Sequence, residues 1–351
     1  MRRLSRRRWR ISELNTEAAC LTRVVVRRVL VLTVTIVLLL TATGCAPAAG
    51  NDQSDGGIRD FSPVSLAEDE KLRAVATTSL VFDVVANVGG NHIELTRLIP
   101  LGTDPHIFEP TPREVAAIAD AHVVFANGAG LELFLEPLLV SAASRQKVVE
   151  VSLGIELLAL DQEHAEDGAD EHNEHDSLDP HTWTDPNNVV HWVENIERAL
   201  SALDPAHQSD YQANARAYRS ELEALDGWVR QQVGRIPAAD RQIVADHLVF
   251  GYLAQRYGFR QVGAVVPGFS TLAQPSAREL AELQNAIRQL NVRAVLVGRT
   301  VNPVVAEAVA RDTGVKLVTV YTGSLSDPSG EAATYLEYIR YNVGAIVGAL
   351  E

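Results

Sequence analysis

The feature that most constrains the fold is a rhythm. Short apolar runs of strand type alternate with helix-type segments in two blocks, one on each side of a long helical stretch. In the first block, Leu72–Thr78, Ile93–Ile99, His122–Ala126 and Lys147–Val151 read as buried strands, with helices around Leu80–Val88 and Pro112–Ala119. In the second, strands Gln242–Ala245, Gln261–Val266, Ala294–Val297 and Leu317–Val320 alternate with helices Leu248–Tyr257 and Ser276–Leu290, and Thr334–Leu350 is a closing helix. This alternation predicts an α/β protein with parallel sheets. Between the blocks, Pro186 to Val233 reads as mostly helical. Asp204-Pro205 predicts an N-cap and a first-turn proline, so a new helix is expected to start there. Tyr211, Ala215, Tyr218, Leu222, Leu225 and Val229 then follow three or four apart, which puts them on one helix face. Such a helix would serve as a rigid connector. The halves share an architecture without a strong sequence repeat.

The first residues read as an address. Nine arginines lie within residues 2–28, an apolar run follows from Val29 to Leu40, and Ala42-Thr43-Gly44-Cys45 comes next. The apolar run is about half the length of a bilayer-spanning helix. Basic region, short apolar core and small residues predict a secretory signal. The cysteine after Gly44 makes it resemble a bacterial lipoprotein signal, with residues 1–44 removed and Cys45 lipidated. The long basic region places the expected translation start nearer Val24. An uncleaved membrane anchor is the plain alternative, and it too leaves the rest of the chain outside the membrane. Residues 45–70, rich in Ala, Gly, Ser, Asp and Pro, read as a flexible tether.

Loss of residues 1–44 takes nine basic and two acidic residues from totals of 31 and 45, which leaves 22 and 43, a net charge of −21. So acidic a balance argues against nucleic acid as the main partner, and it suits either a surface that concentrates cations or plain solubility. Two cysteines, Cys20 and Cys45, supply neither a disulfide scaffold nor a cysteine zinc site.

Four segments put a ligating side chain where a strand or loop meets a helix. They are Gly102 to Pro110 with His106, Asp179 to Pro186 with His181, Asp246-His247, and Tyr321 to Gly330. Ligands in open α/β sheets bind at the carboxyl ends of strands, and His247 satisfies that rule. Three imidazoles plus a carboxylate or water make a reasonable zinc set. Asp104 and Asp246 are placed to orient two of the rings. Spacing alone leaves open whether the three histidines converge, because Asp-Pro-His also suits a plain turn. His92, His122, His191 and His207 read as structural or exposed, His122 as a packing residue. Asp161–Asp176 holds eight acids with His164, His172 and His175, and reads as a solvated loop.

These segments resemble the solute-binding lipoproteins of ABC importers for zinc and manganese, the metal-binding cluster A-I family, from about Leu72 to Leu350. The resemblance rests on Gly102-Thr103-Asp104-Pro105-His106 with Pro110-Thr111-Pro112-Arg113-Glu114, on Asp179 to Pro186, on His247 to Gly258, and on Tyr335-Leu336 to Arg340-Tyr341-Asn342-Val343. It implies two parallel-sheet α/β lobes joined by one long rigid connector helix, with the metal site between the lobes. The expected division is 71–190 for the first lobe, including loop 161–176, then 191–236 for the connector region and 237–351 for the second lobe. It also implies that His106, His181 and His247 ligate. Histidine in the third position goes with zinc members and glutamate with manganese members, so zinc is expected and manganese or iron is the alternative. Zinc members often carry a His/acid-rich loop before the second ligand, where Asp161–Asp176 stands, so His164, His172 and His175 form an expected auxiliary metal loop. The family's fourth ligand is commonly an aspartate in a Thr-Asp-Ser-Leu-like segment. Here Thr322-Gly323-Ser324-Leu325 puts glycine in its place, and Asp327 is the nearest substitute.

The expected function is therefore an extracytoplasmic, lipid-anchored, monomeric receptor that delivers metal to an ABC permease with a separate ATPase subunit. No Walker-type Gly-x-x-x-x-Gly-Lys-Ser/Thr occurs in the chain. A zinc hydrolase is the first rival, but His-Glu-x-x-His, Gly-x-Ser-x-Gly and a clear general-base pair are missing from the sequence. A lipid-anchored adhesin, whose partner binding would survive loss of the three histidines, is the second. Adhesion and transport are also compatible.

Overall fold

The structure, a computed structural model, describes residues 61–67, 69–141, 147–159 and 178–351. The signal segment, Cys45, most of the tether and the loop bearing His164, His172 and His175 lie outside these residues. The first block folds as β1 (Leu72–Ala76), α1 (Ser79–Gly89), β2 (Ile93–Arg97), α2 (Pro112–Asp120), β3 (Val123–Ala126), α3 (Leu135–Ser141) and β4 (Val148–Glu150). Its four strands form a parallel sheet in the order β2-β1-β3-β4. Next come α4 (Pro186–Leu203) and α5 (Gln208–Val233). The second block contains β5 (Gln242–Ala245), α6 (Gly251–Tyr257), β6 (Arg260–Ala264), α7 (Ala277–Gln289), β7 (Ala294–Gly298), α8 (Val304–Thr313), β8 (Lys316–Val320) and α9 (Tyr335–Leu350). Its parallel sheet has the equivalent order, β6-β5-β7-β8. The strand and helix rhythm thus produces two four-stranded α/β lobes of one topology.

Local chemistry sets the helix ends. Thr111 with Glu114, Ser276 with Glu279, and Thr334 with Glu337 form capping boxes at the starts of α2, α7 and α9. Gly258 ends α6 in the left-handed region, at φ 74°, where a side chain would be strained. Helices α3 and α8 were not expected. The buried stripe of α8 is Ala306, Val309 and Ala310, too narrow and small to stand out as an apolar period.

The stretch from Pro186 to Val233 breaks near Asp204-Pro205, as expected. It is a hairpin of α4 and α5, joined by a 3-10 turn at Pro205–His207. Asp204 does not cap the backbone as expected. Its buried carboxylate accepts from Tyr211 Oη at 2.8 Å and pairs with His207 Nδ1 at 2.7 Å, so α5 begins only at Gln208. The predicted apolar face of α5 is the buried one, Tyr211 through Val229. At 26 residues this helix is about 39 Å long. It packs against α4, α1 and α9, and so touches both lobes.

One apolar core consequently runs from Leu80 and Val84 through Leu222 and Leu225 to Tyr338 and Ile346. Separate clusters lie on the far sides of the sheets, around Ile118 in the first lobe and Ile287 in the second. Polar ties reinforce the shared core. On α5, Asp226 accepts from Asn187 Nδ2 at 3.0 Å and from Tyr257 Oη at 2.9 Å, which joins α4 to α6. Asp83 on α1 accepts from the Tyr335 amide of α9 at 3.0 Å and from Tyr218 Oη at 3.2 Å. Among the described residues no helix is long and apolar enough to cross a membrane.

Leu222 is fully buried in this core, whereas Glu223 beside it faces solvent. Leu222→Ala should lower the unfolding free energy by about 2–5 kcal/mol. Glu223→Ala should change it by less than about 0.5 kcal/mol. Urea unfolding of both variants checks this.

Candidate metal centre

Each lobe reverses its strand order beside its first strand, at β1/β3 and at β5/β7. At such switch points the loops diverge and leave a crevice at the carboxyl ends of the strands. In the second lobe Asp246 and His247 leave the end of β5, and Asp246 Oδ2 accepts the Gly298 amide at the end of β7, at 2.5 Å. In the first lobe Glu132 does the equivalent work. It accepts from Thr77 Oγ1 at 2.6 Å after β1, and from the Asn127 and Gly128 amides after β3 at 2.7 and 3.0 Å. Burial pushes the Glu132 carboxyl up to about 7. Asn127 in turn donates to the Pro180 carbonyl at 3.0 Å, and so fixes the segment that carries His181. His106 arrives on the loop after β2, in a short 3-10 turn at Pro105–Ile107.

The three sequence-predicted histidines meet between the lobes. His181 Nε2 lies 3.1 Å from His106 Nε2 and 3.3 Å from His247 Nε2, and all three atoms are within 4.8 Å of one another. His181 and His247 are buried, and His106 is partly exposed. Among the described residues this is the one cluster of at least three His, Cys, Asp or Glu able to share an ion. His181 Nδ1 is 2.7 Å from Asp179 Oδ1, and His247 Nδ1 is 2.7 Å from Asp246 Oδ1. A carboxylate on Nδ1 keeps the proton there and leaves Nε2 as a bare lone pair. The rings of His181 and His247 therefore aim lone pairs into the cluster, where His106 Nε2 meets them 3.1 Å from His181 Nε2. Such lone pairs repel until a proton or a cation stands between them. Tetrahedral zinc with Zn–N bonds of 2.0–2.1 Å requires N···N separations of about 3.3 Å, which the two separations from His181 match.

The surroundings favour neutral rings. Burial, reinforced by His181 and His247, holds the His106 imidazole well below its ordinary value. Burial, then the neighbouring His247, does the same to His181. The second oxygen of Asp179 is buried and has no hydrogen-bond partner. Trp183 packs edge-on to His181 at 5.1 Å, and Phe269 stands 6.4 Å from the same ring. Trp183 Nε1 reaches the Thr322 carbonyl at 3.2 Å and Tyr338 Oη at 3.1 Å, which anchors the His181 segment to the second lobe.

Two expectations are corrected here. Asp327 does not join the cluster. It is exposed, and its Oδ1 accepts from the Ser329 amide at 3.0 Å and from Ser329 Oγ at 2.6 Å, closing its own turn. Those bonds hold its carboxyl below the ordinary value. Asp104 does not touch a ring. Its Oδ1 accepts the His106 amide at 3.0 Å and its Oδ2 accepts Thr271 Oγ1 at 2.7 Å. Asp246 orients its ring as expected. Asp179 does so unforeseen, although its place two residues before His181 matches that of Asp104 before His106.

Gly323 also has a structural reading. A Cβ there would stand 2.6 Å from Pro105 Cδ and 3.1 Å from Cγ. The proline ring beside His106 fills the space that a side chain at 323 would need. The remaining described histidines have local partners: His122 beside Arg73, His191 at the Leu153 carbonyl, His207 on Asp204, and His92 stacked on His207 with a ring separation of 4.1 Å.

A two-lobed α/β protein with converging imidazoles between its lobes defines a class, the metal-binding receptors of uptake systems. The model of the family "Zinc-uptake complex component A periplasmic" matches residues 74–349. The chain is 33% identical over 318 residues to the manganese-binding lipoprotein MntA of Halalkalibacterium halodurans, covering 90% of this chain and 97% of that protein. It is 29% identical over 313 residues to the iron-binding protein YfeA of Yersinia pestis, covering 89% and 93%. Its fold matches the periplasmic zinc-binding protein TroA of Treponema pallidum with a TM-score of 0.70, at 26% identity over 80% of this chain and 99% of that one. The chain belongs to the zinc/manganese family of ABC-importer solute-binding lipoproteins. It is a transport receptor and not an enzyme.

The pH dependence of the metal-free protein reports the strain at His106. Its pKa in the folded state lies below the ordinary 6.5. Below pH 6.5 the unfolded chain therefore binds more protons than the folded one, and stability falls as pH falls. His106→Gln should flatten the decline between pH 6.5 and 5, as read by urea unfolding at each pH.

Proposed function

We propose that the chain is a lipid-anchored, monomeric receptor that captures zinc outside the membrane through His106, His181 and His247 and delivers it to an ABC permease with a separate ATPase subunit. The convergence of three imidazole Nε2 atoms in one buried cluster carries this reading. Nitrogen-only protein donors favour zinc over manganese, which prefers oxygen. With Asp327 turned away and Pro105 against Gly323, the fourth position falls to water or another exchangeable ligand. Three histidines and one such ligand suffice for zinc. Manganese or iron is the second reading, since close relatives are named for them. In the proposed division, 71–190 and 237–351 are the lobes and 191–236 the connector region. Cys45 carries the lipid, and loop 161–176 with His164, His172 and His175 gathers metal for the site.

Release to the permease requires that the metal bind one arrangement of the lobes more tightly than another, because only differential affinity can shift such an equilibrium. Each buried His–Asp pair lies within one chain segment, so a shift of one segment against the other at the cleft would separate His247 from His181 without breaking either pair.

The deciding experiment is competitive titration of the metal-stripped protein with zinc and manganese, with bound metal read by elemental analysis. One tight zinc per chain is expected, with further weak equivalents that vanish when 161–176 is deleted. Tight manganese with weak zinc would overturn the choice of metal. His247→Ala should abolish tight binding. Asp179→Ala should weaken it about 10–100-fold. Affinity unchanged by His247→Ala would remove the site assignment.

A further inference from the structure

His106 differs from the other two histidines. Asp179 and Asp246 grip the rings of His181 and His247 directly. Asp104 instead holds the His106 backbone: its Oδ1 accepts the His106 amide at 3.0 Å and caps the turn Pro105–Ile107. The aim of this ring therefore depends on where Asp104 stands. Asp104 is buried, at 6% exposure, and its other oxygen accepts Thr271 Oγ1 at 2.7 Å across 167 residues of sequence. Thr271 belongs to the second lobe, in the loop between β6 and α7. The same loop brings Phe269 toward His181, and its Gly268 carbonyl accepts the amide of Leu248, the residue after His247. One loop thus touches the surroundings of all three histidines.

We infer that Thr271 is a positioning residue. Through Asp104 it locks His106 in its metal-facing aim when the lobes are together, and breaking this contact is the step that frees the metal. The contact lies near the rim: Leu272, next to Thr271, and Ile107, three residues beyond Asp104, are 59% and 53% exposed. His106 is also the most accessible of the three histidines. Each carboxylate oxygen of Asp104 has one task, so the coupling is direct. When Oδ2 loses the hydroxyl, Asp104 is free to rotate and Oδ1 leaves the His106 amide. The inference rests on the metal-binding reading above.

The test compares Thr271→Val, which keeps the shape and removes the hydroxyl, with Thr271→Ser, which keeps the hydroxyl. Zinc dissociation is followed by stopped flow after mixing the loaded protein with excess chelator. Thr271→Val should release zinc about tenfold faster, the effect of losing one hydrogen bond to a charged acceptor. Thr271→Ser should stay within about twofold of the parent, and so should Val309→Ala, which destabilises the separate cluster behind the second sheet and not the core shared by the lobes. A parental rate in Thr271→Val overturns the inference, as does an equal acceleration by Val309→Ala, which would make the effect one of general stability. A second readout needs no metal. Hydrogen exchange at the His106 amide of the metal-free protein should quicken in Thr271→Val and not in Thr271→Ser. Unchanged exchange overturns the coupling. A parent protein that binds no zinc overturns the metal reading instead, and the amide readout still decides the role of Thr271.

Discussion

His181 Nε2 stands 3.1 Å from His106 Nε2 and 3.3 Å from His247 Nε2, and much of this structure exists to hold these three rings together. Left free, the rings would turn apart or take up protons. Burial removes the second escape by making charged imidazoles costly. Carboxylates on Nδ1 remove the first for His181 and His247. The two lobes supply the rings from different chain segments, so the geometry of the cluster is tied to how the lobes sit together. That relation is set by a core continuous through α5 and by the ties at Asp83 and Asp226. A connector packed against both lobes on one face resists large hinge motions. It leaves small shifts of the loops at the cleft as the economical way to change affinity.

The two lobes solve the same local problem in related ways. In each, a carboxylate spans the switch point of the sheet: Asp246 between the ends of β5 and β7, Glu132 between the ends of β1 and β3. Asp246 also grips a histidine, whereas Glu132 acts at one remove, through Asn127 and Pro180. The common strand order explains why both carboxylates stand there. The amides at the strand ends are unsatisfied by the sheet, and a buried acid can satisfy several of them together.

The metal reading draws on donor chemistry more than on kinship, because the relatives are named for manganese and iron as well as zinc. Within one fold the selectivity lies in which donors reach the ion. In this chain the described donors are all nitrogen, and Pro105 lies against Gly323 where a further side chain would have to enter. A site of that kind holds its cargo without enclosing it fully.

The two α/β blocks and the apolar face of α5 were legible in the sequence, because period-two and period-3.6 patterns report local burial. The residues marked His106, His181 and His247 only as candidates, since Asp-Pro-His also suits a plain turn, and it was the family resemblance that implied they act together. Two things were not legible there. Helix α8 hides because its buried face is small, and at the expected break in the 186–233 stretch Asp204 finds Tyr211 and His207 instead of a backbone amide. Which acid serves which histidine was decided only by tertiary structure. Asp104, Asp179 and Asp246 look alike along the chain. Asp179 and Asp246 turn onto their rings, Asp104 turns away to Thr271, and Asp327 folds onto its own turn. A carboxylate takes whichever donors the packed chain brings within reach, and those donors come from residues far away in sequence.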